Sequence, residues 1–290
     1  MTVKESDVSK DSVKITLLAD NEASEGLEKE HGFAAWVEVG SRHILFDTGH
    51  MGALQGNAAR LGINLKDADL LVISHGHRDH TGTLDKFLAE NNHAELYFAN
   101  QIDIERFWYK PDADTYGMPE ESRQALAALP ASRVHSIAAP HYLAPGVGIT
   151  GPVPRLNSFE DTGGTFYFDK NRVTVDGIED DQSMWFETDD GLVVLLGCCH
   201  SGLSNTIDYI RKISGISKVR GVVGGMHLLQ ANEQRLEQTF EVMTGWNADF
   251  LIPCHCTGMA SAIKMRATIG SEIVSHGHAG MVVEAGQLRQ

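Results

Sequence analysis

Cysteine is scarce in this chain. The four present fall as Cys198-Cys199 and Cys254-x-Cys256, not at the spread spacings of a disulfide framework. This usage points to reduced thiols and a cytoplasmic compartment. Basic charge is also thin, with 24 Lys+Arg against 39 Asp+Glu and a formal net charge of −15. That balance excludes a general basic field for nucleic acid or an anionic membrane surface. No apolar run approaches the ~20 residues of a spanning helix. The start, Met1-Thr-Val-Lys-Glu-Ser-Asp-Val-Ser-Lys10, lacks the apolar centre of a secretory signal and is expected to fray. Hydrophobic residues at 42% and charged residues at 22% are ordinary for a folded domain, so wholesale disorder is excluded as well.

What the chain has in excess is histidine, 14 in all, many of them in Gly-rich clusters at the ends of apolar runs. Those runs, 4–7 residues long, read as strands at Val13–Leu18, Phe33–Val39, Arg42–Phe46, Leu70–Ile73 and Glu95–Phe98. Gly40-Ser41 reads as the turn of a hairpin. Leu54, Ala58 and Leu61 mark a helical face, as do Leu84, Phe87 and Leu88. Six of the eight prolines lie between Pro111 and Pro152, so about 100–165 reads as an insertion or lid with a short helix near Ser122–Leu129. Strands are expected again at Thr165–Phe168, Ser183–Phe186, Leu192–Leu196, Val219–Val223 and Phe250–Ile252, with Ile273-Val274 and Met281–Val283 finishing the sheet. Helical faces recur at Leu203/Ile207/Ile210, Leu236/Phe240/Met243 and Met259–Thr268. One α/β domain spanning 1–290, with two sheets and helices outside, satisfies that order.

The chemistry is concentrated in Ser74-His75-Gly-His77-Arg-Asp79-His80-Thr-Gly82, between an apolar strand and a helix. Capping a helix needs one Asp or Thr. Three imidazoles and a carboxylate within six residues are instead suited to Zn²⁺ or another first-row divalent ion. His200, His227 and His255 each follow an apolar strand in the same way. Asp47, in Phe46-Asp-Thr-Gly49, is a carboxylate placed to orient an imidazole from behind. Two decoys compete. Ser275-His-Gly-His278 repeats half of the main motif without its Asp-His, and the cysteines suggest a thiolate site. Adjacent strand residues face opposite ways, so Cys198 and Cys199 read better as small buried thiols, with Cys256 a candidate to line the pocket.

The order Asp47-Thr-Gly, His75-x-His77-x-Asp79-His80, His200, His255 resembles the metallo-β-lactamase fold superfamily. Longer strings are similar to its dihydropterin ribofuranosyl-aminobenzene phosphate synthase-like branch, a group of metal-dependent hydrolases. They are Asp20-Asn21, Glu30-His31-Gly32, Leu45–Gly49, Ser74–His77, Gly151-Pro-Val-Pro-Arg155, Gly224-Gly-Met-His-Leu228 and His255–Gly258. The resemblance implies an αββα sandwich with one or two divalent ions at one edge, zinc first and manganese or iron as alternatives. It implies His75, His77 and His200 around one ion, and Asp79, His80 and His255 around a second. A bridging Asp is usual between the last two His motifs. This chain has Gly224-Gly-Met-His227 there, which leaves His227 as ligand or proton donor. The activity implied is hydrolysis of a small anionic substrate, a phosphate ester or pterin-like diphosphate, by water that the metal acidifies and Asp79 orients. Arg155, His31, His227 and Lys170 are candidate substrate contacts, and Asp180-Asp181 reads as a solvated acidic turn more than a pocket wall. Condensation on a pterin diphosphate and a non-catalytic metal-bound sensor are the other readings. Oligomeric state stays open, with a homodimer one option.

Overall fold

The computed structural model describes residues 12–109 and 115–289. The first ten residues, expected to fray, lie outside that range, as does Pro111. β1 (Ser12–Ala19), β2 (Ala34–Val39) and β3 (Arg42–Phe46) pair antiparallel in sequence, the last two across the expected Gly40-Ser41 turn. α1 (Ala53–Arg60), β4 (Leu70–Val72), α2 (Arg78–Thr81), α3 (Leu84–Glu90) and β5 (Glu95–Ala99) follow. Next come β6 (Phe107–Trp108), α4 (Glu120–Ala127), β7 (Val134–Ile137), β8 (His141–Ala144), β9 (Val147–Ile149), β10 (Phe166–Tyr167) and β11 (Val175–Asp176). β12 (Met184–Thr188), β13 (Gly191–Leu196), α5 (Leu203–Ser214), β14 (Val219–Gly225), α6 (Glu233–Gly245), β15 (Phe250–Cys254), α7 (Met259–Ile269) and β16 (Val282–Gln287) complete the described elements.

One sheet runs β16-β1-β2-β3-β4-β5-β7 and the other β15-β14-β13-β12-β9-β8. Their strands alternate as the sequence does. Val13, Ile15, Leu17, Ile44 and Phe46 point inward and meet Met184, Phe186, Val193, Leu195 and Val223 of the other sheet in one shared core. Their neighbours Trp36, Leu45 and Leu71 point outward onto Leu54 of α1, Phe87 of α3 and Leu126 of α4. On the other side Trp185, Val194, Leu196 and Val222 pack on Ile207 of α5, Phe240 of α6 and Met265 of α7. The result is helix, sheet, sheet, helix. Each large aliphatic side chain buried this way stabilises the fold by roughly 1.5–3 kcal/mol.

The Pro-rich stretch departs from the sequence reading. Residues 134–149 are not inserted, because β7 joins β5 in the first sheet while β8 and β9 form the edge of the second. Only the flanks stand apart, where β6, β10 and β11 make a small separate sheet. Ile273-Val274 forms no strand and makes only an isolated bridge from Val274 to Leu251. Among the described residues no helix is long and apolar enough to cross a membrane.

In the first sheet β3, β4, β5 and β7 run parallel, and in the second β13, β14 and β15 do. The carboxyl ends of β3 and β4 therefore share one edge with those of β13, β14 and β15, where open α/β sheets commonly bind ligands. The loop before β2 is anchored to that edge by Glu30. Its buried carboxylate accepts from the backbone N–H groups of His50, Met51, Gly52 and Ala53 at 2.8–3.2 Å and so caps α1 from outside the helix. Glu30→Ala should lower the unfolding free energy by about 2–3 kcal/mol, and Glu30→Gln by less, with the urea slope unchanged. A loss below about 0.5 kcal/mol would show that water replaces this cap.

Candidate metal centre

Every strand on this edge ends in a chemical group, and four of the turns need an unusual backbone. Asp47, Cys199, His227 and His255 have φ of 60°, 58°, 46° and 44°, left-handed values that cost a non-glycine residue on the order of 1–2 kcal/mol each. They turn the chain sharply enough to aim side chains across the gap between sheets. The approach itself requires Gly197, because a Cβ there would lie 2.1 Å from Ser74 Oγ.

Asp47 is fully buried behind the histidines. Its Oδ1 accepts from Ser74 N at 2.7 Å, and its Oδ2 accepts from Ser74 Oγ at 2.7 Å and His80 Nδ1 at 2.6 Å. With its proton given to Asp47, Ser74 Oγ accepts from His75 Nδ1 at 2.9 Å. His200 Nδ1 donates to the Thr162 carbonyl at 2.7 Å, and His255 Nδ1 donates to Asn21 Oδ1 at 2.9 Å. Asp20, next in chain, accepts from His255 N at 2.9 Å. Thus four imidazoles have Nδ1 fixed as a donor, which leaves the Nε2 lone pair facing the common centre.

The atoms so exposed fit a metal ion. His77 Nε2, Asp79 Oδ1, His200 Nε2 and His255 Nε2 are buried with no hydrogen-bond partner. His255 Nε2 lies 3.3 Å from Asp79 Oδ2, two acceptors facing each other, which repel unless a cation lies between them. His75 Nε2 and His77 Nδ1 are 3.0 Å apart. Donor atoms of His75, His77 and His200 gather within 4.8 Å as expected, but in the second such group His31 stands with Asp79 and His255 in place of the expected His80, which groups with His75 and Cys198 instead. Burial pushes His75, His77 and His200 well below the ordinary imidazole range, and His255 to about 4, so these rings are neutral and available as ligands. Burial alone would raise the Asp79 carboxyl. The His31 and His80 imidazoles beside it outweigh burial and hold the group well below the usual carboxylate range.

Around these donors is a cavity lined in part by the aromatic rings of Trp108, Tyr116 and Phe166 and by Leu229. The Phe166 ring lies 4.5 Å from His77, and Tyr116 donates to Asp79 Oδ2 at 3.2 Å. Other sequence candidates divide. His31 reaches the cavity half-exposed, with Nε2 3.3 Å from Asp79 Oδ2, and His227 lines the opposite side 4.3 Å from the His200 ring. Arg155 does not face the cavity. Its Nη1 donates to His200 O at 2.6 Å and its Nη2 to Gly177 O, so it braces a histidine-bearing loop. Lys170 is exposed and also lies outside the cavity lining. Asp180 and Asp181 are not a solvated turn, because both are buried. Asp180 accepts from Gly76 N at 2.7 Å and pairs with Arg106, while Asp181 accepts from Ser201 N at 2.8 Å. His276 and His278 belong to none of the donor groups among the described residues. All four cysteines are buried free thiols, and both Cys198 and Cys256 line the cavity.

Comparison with known proteins agrees with this geometry. A family profile described as the metallo-beta-lactamase superfamily matches residues 28–168. The 7,8-dihydropterin-6-methyl-4-(beta-D-ribofuranosyl)-aminobenzene-5'-phosphate synthase of Methanocaldococcus jannaschii is 30% identical over 287 residues, covering 94% of this chain and 97% of that protein. The chain belongs to the metallo-beta-lactamase superfamily. An uncharacterised protein of the same organism is also 30% identical, covering 93% of this chain and 99% of its own. The crystal structure of Tm1679, a metal-dependent hydrolase of the beta-lactamase superfamily, superposes with a TM-score of 0.78 at 25% identity, over 95% of this chain and all of that one. A diphosphatase of the PhnP family, at 13% identity and a TM-score of 0.54 over 96% of this chain and 100% of its own, shares the fold.

The superfamily generally binds divalent metals, and the donor set gives a direct test. His77→Ala should remove most of the bound metal measured by elemental analysis after dialysis. Asp47→Ala should weaken affinity about 10–100-fold through loss of ring orientation. His276→Ala and His278→Ala should leave metal content unchanged, and the reverse pattern would move the centre to the second His-Gly-His.

Proposed function

We propose that this protein is a metal-dependent hydrolase of a small anionic substrate bearing a flat ring, acting on a phosphate ester or related bond. The observation that carries the reading is the convergence of unpaired buried acceptors on the floor of an aromatic-walled cavity. An imidazole-rich donor set favours zinc, with manganese or iron as alternatives. When bound, such an ion supplies acidified water and Lewis-acid polarisation.

The protein's own groups do the rest. Asp79 Oδ1 is unpaired and aimed inward, while Tyr116 and His31 hold Oδ2, so the carboxylate is placed to orient a water and take its proton. His31 is the better proton donor of the two histidine candidates, because Asp79 raises it above its ordinary 6.5. Burial puts His227 at about 3, so it acts as a neutral ring that donates a hydrogen bond to a developing anion or joins the ligands. Trp108, Tyr116 and Phe166 offer faces for a ring to stack on. Among the described residues, neither lysine nor arginine lines the cavity, and His31 and the ion are the groups there suited to the anionic part of the substrate.

Condensation on a pterin diphosphate is the second reading. It is supported by the synthase name of a relative matched over 97% of its length. Assays with zinc-, manganese- or iron-loaded protein in ¹⁸O-water separate the two. Label in the product of a phosphate ester supports hydrolysis, whereas unlabelled product that forms only with a second organic substrate, with release of diphosphate, supports condensation. No turnover across phosphomonoesters, diesters, lactones and thioesters by fully metallated protein would leave a ligand sensor. The rate should also fall as pH rises through the His31 value, where its acid form is lost. His31→Gln should abolish that alkaline limb at unchanged metal content.

A further inference from the structure

We propose that Cys198 is a metal ligand, a thiolate placed between the two histidine groups where the chain has no bridging carboxylate. This rests on the metal centre described above and adds to it a donor from outside the histidine motifs.

Among the described residues, five groups of side chains bring their donor atoms within 4.8 Å of one another, and Cys198 belongs to three of them. It joins His75 with His80, His200 with His227, and His255 with Cys256. Its Sγ lies 3.1 Å from His80 Nε2, whose lone pair faces it because His80 Nδ1 donates to Asp47. A tetrahedral ion with bonds near 2.1 Å to nitrogen and 2.3 Å to sulfur holds such atoms roughly 3.5 Å apart. His200 Nε2 and His255 Nε2, in the other two groups, are buried and unpartnered. The sulfur therefore stands within reach of imidazoles from both histidine groups.

The backbone shows why Cys198 and not Cys199 takes this role. After β13 the left-handed turn at Cys199 sends its side chain into the helix-side core, 3.4 Å from Thr206 Oγ1, while Cys198 stays on the cavity. At the end of β14, where the resemblance calls for a carboxylate, Gly224, Gly225 and Met226 offer none. A thiolate supplies the same single negative charge from the neighbouring strand end. On binding, the Sγ–H bond is replaced by Sγ–metal and the proton passes to solvent. Sulfur also biases the centre toward zinc or cobalt and away from manganese.

Cobalt(II) is the probe. Metal-free protein titrated with Co²⁺ should develop an intense thiolate-to-cobalt charge-transfer band in the near ultraviolet, beside the weaker visible d–d bands. Cys198→Ser should lose the ultraviolet band, Cys199→Ser should keep it, and Cys198→Asp should lose it while improving Mn²⁺ affinity relative to Zn²⁺ at least tenfold. Elemental analysis and thermal unfolding of each variant show whether it is folded and loaded. A band unchanged in folded, loaded Cys198→Ser overturns the proposal and leaves the histidine centre standing. A band lost only in Cys256→Ser assigns the ligand to the other thiol and overturns it too. Wild type that binds no cobalt, zinc or manganese overturns the centre itself, and this proposal with it.

Discussion

The site depends on one buried carboxylate. Asp47 ends β3, accepts the backbone and hydroxyl of Ser74 at the end of β4, and accepts His80 at the far side of the same loop. A carboxylate with no solvent exposure is costly unless its lone pairs are filled, and here three donors fill them. The same bonds fix two imidazoles in the tautomer that presents Nε2. Orienting the ligands and satisfying the carboxylate are one arrangement, so either fails if the other does.

Two further devices extend that control. Asp180 holds Gly76, between His75 and His77, by its backbone N–H, and Arg106 pairs with both Asp180 and Asp176. Burial raises Asp180, and the Arg106 guanidinium opposes that rise. Asp20 and Asn21 do the same work for His255, one on its backbone and one on its ring. The histidine-bearing loops are thus stiffened from behind by polar contacts, while the sheets that carry them are positioned by ordinary apolar alternation.

This division explains what could be read from the sequence. Strand alternation and helix faces are local periodicities, so β1–β5 and β12–β15 with their helices were legible within a residue or two. The His-x-His-x-Asp-His run was legible as a cluster of donor side chains because its members are adjacent in chain. Arg106 was not, since its partners are 70 and 74 residues away and no local pattern joins them. The aromatic wall was hidden for the same reason, because Trp108 and Phe166 meet only through the β6–β10 pairing. Arg155 misled because an arginine in a Gly-Pro loop near a site reads as an anion contact until backbone carbonyls are seen to occupy its donors. The prolines from Pro111 to Pro152 suggested a lid over about 100–165 because they break periodicity, yet Pro140 and Pro145 fall in the turns between the short strands β7, β8 and β9.

The net charge of −15 sits oddly with an anionic substrate until it is resolved by place. Among the donors at the centre, His75, His77, His200 and His255 are held neutral by burial, and Asp79 is the one ionised carboxylate facing the cavity. Asp47, Asp180 and Asp181 are turned away and hydrogen-bonded to the loops. One divalent ion exceeds the charge of Asp79, and two would exceed it even with a thiolate added. With such an ion bound the cavity would carry net positive charge inside an acidic surface. The rings of Trp108, Tyr116 and Phe166 share that lining with the polar His31, His77, Asp79, His227, Gln230 and His255, so such charge stands beside faces on which a flat ring can stack.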